Sequence, residues 1–152
     1  MEVSYCFNSP VGPLRLREIG GELVRLEFCA AAPEKPRAGS ALLREARTQL
    51  EEYFDGRRLE FDLPLAPQGS EFQRRVWRAL LDIPYGQTRS YADIARQIGQ
   101  PRAARAVGMA NHRNPLPILI PCHRVVGQDG ALTGYAGGLA VKEALLRLER
   151  RA

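Results

Sequence analysis

A chain of 152 residues, 45% of them hydrophobic, fills one ordinary domain or two small ones around a packed core, which excludes a disordered chain or a short stapled peptide. No window approaches the ~18 uninterrupted apolar residues of a membrane span. The amino terminus MEVSYCFNSP lacks a basic region leading into an apolar one, so a cytoplasmic address without membrane contact is expected. The net charge of +5 is unevenly placed: residues 1 to 68 carry nine basic and eleven acidic side chains, a net of −2, and residues 69 to 152 carry thirteen and six, a net of +7.

The first part reads as three short strands, VSYCF (3 to 7), LRLREI (14 to 19) and ELVRLEF (22 to 28), separated by NSPVGP and Gly20-Gly21. That pattern predicts an antiparallel meander. The Ala, Pro and Gly-rich stretch 30 to 40 reads as a loop. It leads into ALLREARTQLEEYFD, where Leu42, Leu43, Ala46, Leu50, Tyr53 and Phe54 recur at helical spacing before Gly56 stops the run. One helix is therefore expected to cover one face of the sheet. PLAPQGS (64 to 70) reads as a linker, dividing the chain into parts 1 to 68 and 69 to 152.

The second part opens with Ser70 and Gln73, a capping box for EFQRRVWRALLDI with Val76, Trp77, Leu80 and Leu81 inward, ended by PYG at 84 to 86. Ser90 and Asp93 repeat the device for YADIARQI, with Ala92, Ile94, Ala95 and Ile98 inward and Gly99 closing it. Pro101 fits the first position of a following helix, PRAARAVGMAN, with Ala103, Ala106, Val107 and Ala110 inward and Arg102, Arg105 and Met109 on another face. Two short helices about a turn containing Gly outline a helix-turn-helix. A solvated arginine face is the simpler account of that helix alone, and compositional bias accounts for arginine making up 20 of the 22 basic residues. The charge asymmetry between the two parts is different: it points to a polyanion partner.

In NPLPILIPCHRVVGQDGALTGYAGG (114 to 138), Pro115, Pro117 and Pro121 stiffen the approach and Ile118 to Ile120 bury it, leaving Cys122 at the edge of an apolar wall. The three cysteines, Cys6, Cys29 and Cys122, form no CxxC and no disulfide framework. A buried free cysteine is usually a small hydrophobe. Here His123 follows Cys122, Arg124 adds positive charge and Asn114 is placed to fix the turn, so a thiolate nucleophile is physically reasonable. Metal binding is not expected, because the only histidines are His112 and His123 and none lies in the first part.

IPCHRV (120 to 125), with Asn114-Pro115 before it and GYAGGLAVKE (134 to 143) after it, resembles the O6-alkylguanine-DNA alkyltransferases, the methylated-DNA-protein-cysteine methyltransferases. The likeness runs upstream through PRAARAVG and PYGQTRSYADIA to Phe72, and the first part is similar only in outline. The resemblance implies an α+β fold: a small antiparallel sheet with a helix (1 to 68), then a mostly helical winged-helix or helix-turn-helix domain (69 to 152) that binds DNA and transfers alkyl groups. The family's chemistry is direct repair: the alkylated guanine is flipped out of the duplex and its O6-alkyl group moves irreversibly to a cysteine in a single turnover.

By the same resemblance Cys122 is the alkyl acceptor, His123 the base acting through a water, Glu149 the carboxylate that orients it, and Asn114 the organiser of the turn. Tyr91 donates at guanine N3. Arg105 takes the place of the extruded base, and Arg102, Ala104, Gln100, Ser90 and Gln128 line the DNA. Cys122, Val125, Tyr135, Ala136, Gly137 and Met109 form the guanine pocket, with Gly138 helping to keep the loop compact. No cofactor is implied, and the partner is double-stranded DNA carrying O6-alkylguanine, approached from the minor groove by a monomer. The stretch MANHR (109 to 113) departs from some relatives by placing polar Asn111 and His112 in a pocket wall that is apolar there.

The reaction asks for such parts independently. Displacement at an ether-like carbon needs a thiolate and hence a base, the departing guanine needs a donor, and a base inside a duplex must be extruded at roughly a few kcal/mol. Two other classes compete. An alkyltransferase-like lesion-binding protein would lack the acceptor that Cys122 supplies, and a winged-helix regulator would leave Pro121-Cys122-His123-Arg124 unexplained.

Overall fold

The computed structural model describes residues 2–31 and 39–150. The loop expected over 30 to 40, with Lys35, therefore lies mostly outside the described residues. The chain forms two compact units, Met1–Pro67 and Gln68–Ala152.

In the first unit β1 (Glu2–Phe7), β2 (Leu14–Ile19) and β3 (Glu22–Phe28) make an antiparallel sheet in the order β1-β2-β3. Alternation puts Tyr5, Phe7, Leu14 and Leu16 on one face, and α1 (Ala41–Phe54) covers it with Leu43, Ala46, Leu50 and Tyr53. Ser40 caps α1 by accepting from the Leu43 N–H. Buried Gln49 accepts from the Asp62 N–H at 2.9 Å and donates to the Asp62 carbonyl at 3.1 Å, which pins the returning chain. The segment expected to be a free linker begins as structure: Leu65 bridges Leu23 in parallel, with the Leu23 N–H on the Pro64 carbonyl and the Ala66 N–H on the Leu23 carbonyl. Backbone groups in that run find sheet partners, which overrides the turn-forming composition.

The second unit holds α2 (Glu71–Leu81), β4 (Arg89–Ser90), α3 (Tyr91–Gln97), α4 (Ala104–His112), β5 (Val125–Val126) and α5 (Leu139–Arg150). Both capping boxes, Ser70 with Gln73 and Ser90 with Asp93, are present. Trp77 is buried in α2 and donates its indole N–H to the Ala110 carbonyl of α4. A two-residue parallel pairing of β4 with β5 ties the start of α3 to the segment that follows Cys122.

Three expectations are corrected here. Leu81 is 48% exposed, because it lies about 40° further round the helix than Trp77, and Ala79 and Ile83 are buried instead. Pro101 does not begin a helix: the Ala103 N–H bonds to the Gln100 carbonyl in a turn, and α4 starts at Ala104, leaving Arg102 before the helix. Within α4, Val107, Ala110 and Asn111 face inward, and Ala106, about 100° round the helix from Val107, is exposed instead of packed.

Candidate active site

The approach to Cys122 is a tightly wired loop. Asn114, buried beyond α4, accepts from the Leu116 N–H at 2.9 Å and donates to the Ile120 carbonyl at 2.9 Å, while the Ile120 N–H bonds the Leu116 carbonyl at 2.8 Å. These bonds hold Ile118 at φ 74°, a left-handed conformation that costs a β-branched residue about 1–3 kcal/mol. Its side chain is buried in return. The Cys122 N–H then closes on the Ile120 carbonyl at 2.7 Å, and Cys122–Arg124 form a single 3-10 turn.

That turn sends His123 and Arg124 toward one carboxylate. Glu149, in the last turn of α5, is 2% exposed and holds His123 Nε2 at 2.7 Å on Oε2 and Arg124 Nε at 2.8 Å on Oε1. Arg124 adds a second bond to Oε2 at 3.1 Å and donates to the Ile83 carbonyl at 2.7 Å. The Gly86 N–H reaches Oε1 at 3.2 Å. Gly86 sits at φ 80°, and a Cβ there would meet the Glu149 backbone oxygen at 3.3 Å, so both backbone and space call for glycine. The Arg124 guanidinium also lies 5.7 Å from the Tyr85 ring centre.

Protonation follows from this wiring. Ionised Glu149, neutralised by Arg124, takes a proton bond from His123, so Nε2 carries hydrogen and Nδ1 keeps its lone pair. Nδ1 is buried and has no hydrogen-bond partner among the described residues. Burial is the largest influence on the imidazole and pushes its pKa below the ordinary value, with Glu149 opposing. His123 is thus a neutral base with a free acceptor.

Cys122 is 4% exposed, and burial pushes its thiol up to about 11. Against burial act the Asn114 side chain, the charge of Lys142, and the N–H groups of Cys122 and His123. The resting group is therefore a thiol, surrounded by donors that suit a thiolate once the proton leaves.

A second set of contacts surrounds Lys142. Its side chain is fully buried on α5, and burial lowers its pKa. Nζ donates to the Val125 carbonyl at 2.7 Å and to the Thr133 carbonyl at 3.2 Å, with Thr133 Oγ1 at 3.5 Å. Thr133 Oγ1 in turn hydrogen-bonds the Tyr91 hydroxyl at the start of α3. An added Cβ at Gly108 of α4 would lie 3.7 Å from the Tyr91 ring.

Of the residues named from sequence, Cys122, His123, Glu149 and Asn114 thus share one buried network, and Val125 and Tyr91 join the adjoining one. Tyr135 is buried, Ala136 is exposed and Gly137 is half-buried. Arg105 and Met109 are exposed on α4, and half-buried Ala104 opens that helix. Gln100 and Arg102 are exposed in the preceding turn, Ser90 caps α3, and Gln128 is exposed in the turn after β5. Asn111, read from sequence as a polar element of the pocket wall, is buried and donates to the Cys122 carbonyl at 3.4 Å.

Sequence reading missed three contributors: Arg124 as the clamp on Glu149, Gly86 as its backbone donor, and Thr133. One signal was available. Lys142, Leu145, Leu146 and Glu149 occupy positions i, i+3, i+4 and i+7, so the inward stripe of α5 includes two charges that need buried partners.

Residues 71–151 match the 6-O-methylguanine DNA methyltransferase DNA-binding domain, and residues 4–67 match the ribonuclease-like domain of the same family. A methylated-DNA–protein-cysteine methyltransferase of Methanosarcina barkeri is 53% identical over 147 residues, covering 93% of either chain. That of Mycobacterium leprae is 51% identical over 147 residues, covering 94% of this chain and 89% of its own. The crystal structure of the Mycobacterium tuberculosis O6-methylguanine methyltransferase superposes with a TM-score of 0.89 at 48% identity, covering 99% of this chain and 94% of the other. Mycobacterium tuberculosis OGT, solved in complex with DNA, gives 0.86 at 48% identity over 97% and 92%. With both units matched and half of all residues shared with such relatives, the chain belongs to the 6-O-methylguanine DNA methyltransferase family.

Proposed function

We propose that this protein repairs DNA by moving the alkyl group of an O6-alkylguanine onto Cys122. The observation that carries the reading is the buried Cys122-His123 pair, in which Glu149 holds one imidazole nitrogen and leaves the other free to accept a proton. His123 Nδ1 takes the thiol proton through an intervening water, and the thiolate attacks the alkyl carbon in line with the C–O6 bond. An S–C bond forms, the C–O6 bond breaks, and its electron pair leaves with guanine. Guanine regains a proton in place of the alkyl group and His123 returns to neutrality, so the thiol proton replaces the alkyl group overall. Tyr91 donates a hydrogen bond to guanine N3, where charge develops in the transition state.

The target atom lies within the duplex, so the nucleotide is turned out of the stack. The turn between α3 and α4 supports entry from the minor groove, with exposed Arg105 as the wedge and Arg102 as a phosphate contact. Gln100, Ala104, Ser90 and Gln128 extend that surface, and Val125, Tyr135, Ala136, Gly137 and Met109 receive the base. The thioether product has no readily expelled group, so a monomer acts once and without cofactor.

Incubation with a duplex carrying O6-methylguanine should add one methyl group to the peptide that contains Cys122, and Cys122→Ala should abolish the addition while sparing DNA affinity. An unchanged mass with tight binding retained would favour a lesion-binding protein instead. Arg105→Ala should slow transfer from duplex more than from the free base, and equal slowing would remove the wedge role.

A further inference from the structure

Thr133 lies outside the reacting groups, yet its hydroxyl touches two of the side chains that surround them. On one side it contacts the Tyr91 hydroxyl, and on the other it lies 3.5 Å from Lys142 Nζ. The hydrogens of this cluster can be counted. The Lys142 ammonium has three, directed at the Val125 carbonyl, the Thr133 carbonyl and Thr133 Oγ1. An ammonium has nothing to accept with, so Thr133 Oγ1 receives from it and keeps its own proton to give. The Tyr91 oxygen lies beside it as a receiver for that proton, although the second lone pair of Thr133 Oγ1 leaves the opposite direction open as well. With Thr133 as the donor, Tyr91 keeps its phenolic hydrogen to give, with one lone pair already engaged.

We propose that Thr133 is a positioning residue for Tyr91. In a one-way donor chain from Lys142 through Thr133, its hydroxyl fills the Tyr91 acceptor site and turns the phenolic hydrogen toward N3 of the bound guanine. The arrangement does two things. It fixes a rotor that would otherwise be spread over several orientations, and each bond in the chain polarises the next, so the tyrosine donates more strongly as negative charge builds on the departing base. Lys142 also fastens Thr133 to the Val125 carbonyl, so the loop that carries the hydroxyl and the strand after Cys122 keep a fixed spacing. The inference rests on Tyr91 as the N3 donor, and the test separates the two ideas.

Single-turnover transfer is measured on duplexes carrying O6-methylguanine or O6-methyl-3-deazaguanine, in which a carbon replaces N3. The proteins are the parent, Tyr91→Phe, Thr133→Val, Thr133→Ser and the Tyr91→Phe/Thr133→Val pair. Thr133→Val should be about three- to tenfold slower on O6-methylguanine, the worth of one hydrogen bond, and within twofold of the parent on the 3-deaza base. Thr133→Ser should restore the rate, and the double variant should be no slower than Tyr91→Phe alone. Equal slowing by Thr133→Val on both bases, or none on either, with the Tyr91→Phe penalty confined to O6-methylguanine, overturns the role of Thr133 and leaves Tyr91 standing. A Tyr91→Phe penalty equal on both bases removes the donor role of Tyr91 and the proposal with it. Thr133→Ala gives a second hydroxyl-free side chain should the valine fail to fold.

Discussion

Replacing Glu149 by glutamine changes one oxygen to an NH2 group and leaves the volume unchanged, in a place where His123, Arg124 and the Gly86 N–H all present donors. The carboxylate accepts from His123 Nε2, from Arg124 twice and from the Gly86 N–H. An amide can face only one of its ends to this ring of donors. If its NH2 meets His123, the imidazole must move its proton from Nε2 to Nδ1 to accept, and the free lone pair that serves as base disappears. If its NH2 meets Arg124, two donors oppose each other, and in either case the guanidinium, 7% exposed, loses its counter-charge.

The two consequences have different sizes. Leaving a buried charge without its partner costs about 3–5 kcal/mol of stability. Loss of a positioned base lowers the rate about 10²–10⁴-fold. Glu149→Gln should therefore shift the urea midpoint markedly and reduce single-turnover methyl transfer by at least two orders of magnitude. Arg124→Met in the same chain should recover part of the stability, since an uncharged pair replaces a broken ionic one, without recovering the rate. A Glu149→Gln protein that transfers within threefold of the parent would refute the tautomer reasoning. Recovery of rate along with stability in the double variant would show that Glu149 acts only by holding the fold.

Three further outcomes follow from the same geometry. Because burial lowers the His123 pKa and the neutral imidazole is the proposed base, any loss of transfer rate on acidification should have its midpoint below pH 6.5; a midpoint above 6.5 would contradict the burial argument. The Cys122 thiol has a folded value of about 11 against 9.0 unfolded, so the stability it contributes is fully present below pH 9 and is lost as pH rises through 11. By pH 10.5 roughly 2 kcal/mol of that is gone, which denaturant titrations at pH 8 and 10.5 would detect as a larger fall in stability for the parent than for Cys122→Ala. Gly86→Ala, strained at φ 80° and crowded by the Glu149 carbonyl at 3.3 Å, should lose about 1–3 kcal/mol and slow transfer, whereas the same change at Gly130, also at positive φ but with open space around it, should leave the rate unchanged.

What the sequence made legible was local. Period-two alternation marks the three strands, and the Ser70-Gln73 and Ser90-Asp93 boxes mark two helix starts, because these signals lie within a few residues and act through the backbone. The start of α4 was misplaced for a related reason: proline is compatible with a first helical turn, but it sits equally well in a turn closed by Gln100 and Ala103, and only packing decides. The Cys122-His123-Glu149 set was named from resemblance, since positions 123 and 149 carry no local sign of meeting. Arg124 read as spare positive charge because its carboxylate partner is 25 residues away and its carbonyl partner 41 away. Thr133 carried no pattern at all: a hydroxyl in a Gly-containing loop gains meaning only when Tyr91 and Lys142 are folded onto it.

The resting state of Cys122 connects these pieces. An exposed thiol with a lowered pKa would react with any small electrophile, which would be wasteful for the single-use acceptor proposed above. Here the thiol is buried and its proton firmly held, so little thiolate exists at neutral pH. The groups that would stabilise the anion, the Asn114 amide, the Lys142 charge and two backbone N–H groups, are nevertheless already in place, as is a neutral histidine with a free lone pair. Reactivity is thus withheld by burial and supplied by geometry, so an electrophile must fit the site before the proton moves. Iodoacetamide should accordingly modify half-buried Cys6 and Cys29 before Cys122 at pH 7, while O6-methylguanine in duplex should modify Cys122 alone. If Cys122 proves the fastest of the three toward iodoacetamide, selectivity does not come from burial, and the thiolate must already be populated in the free protein.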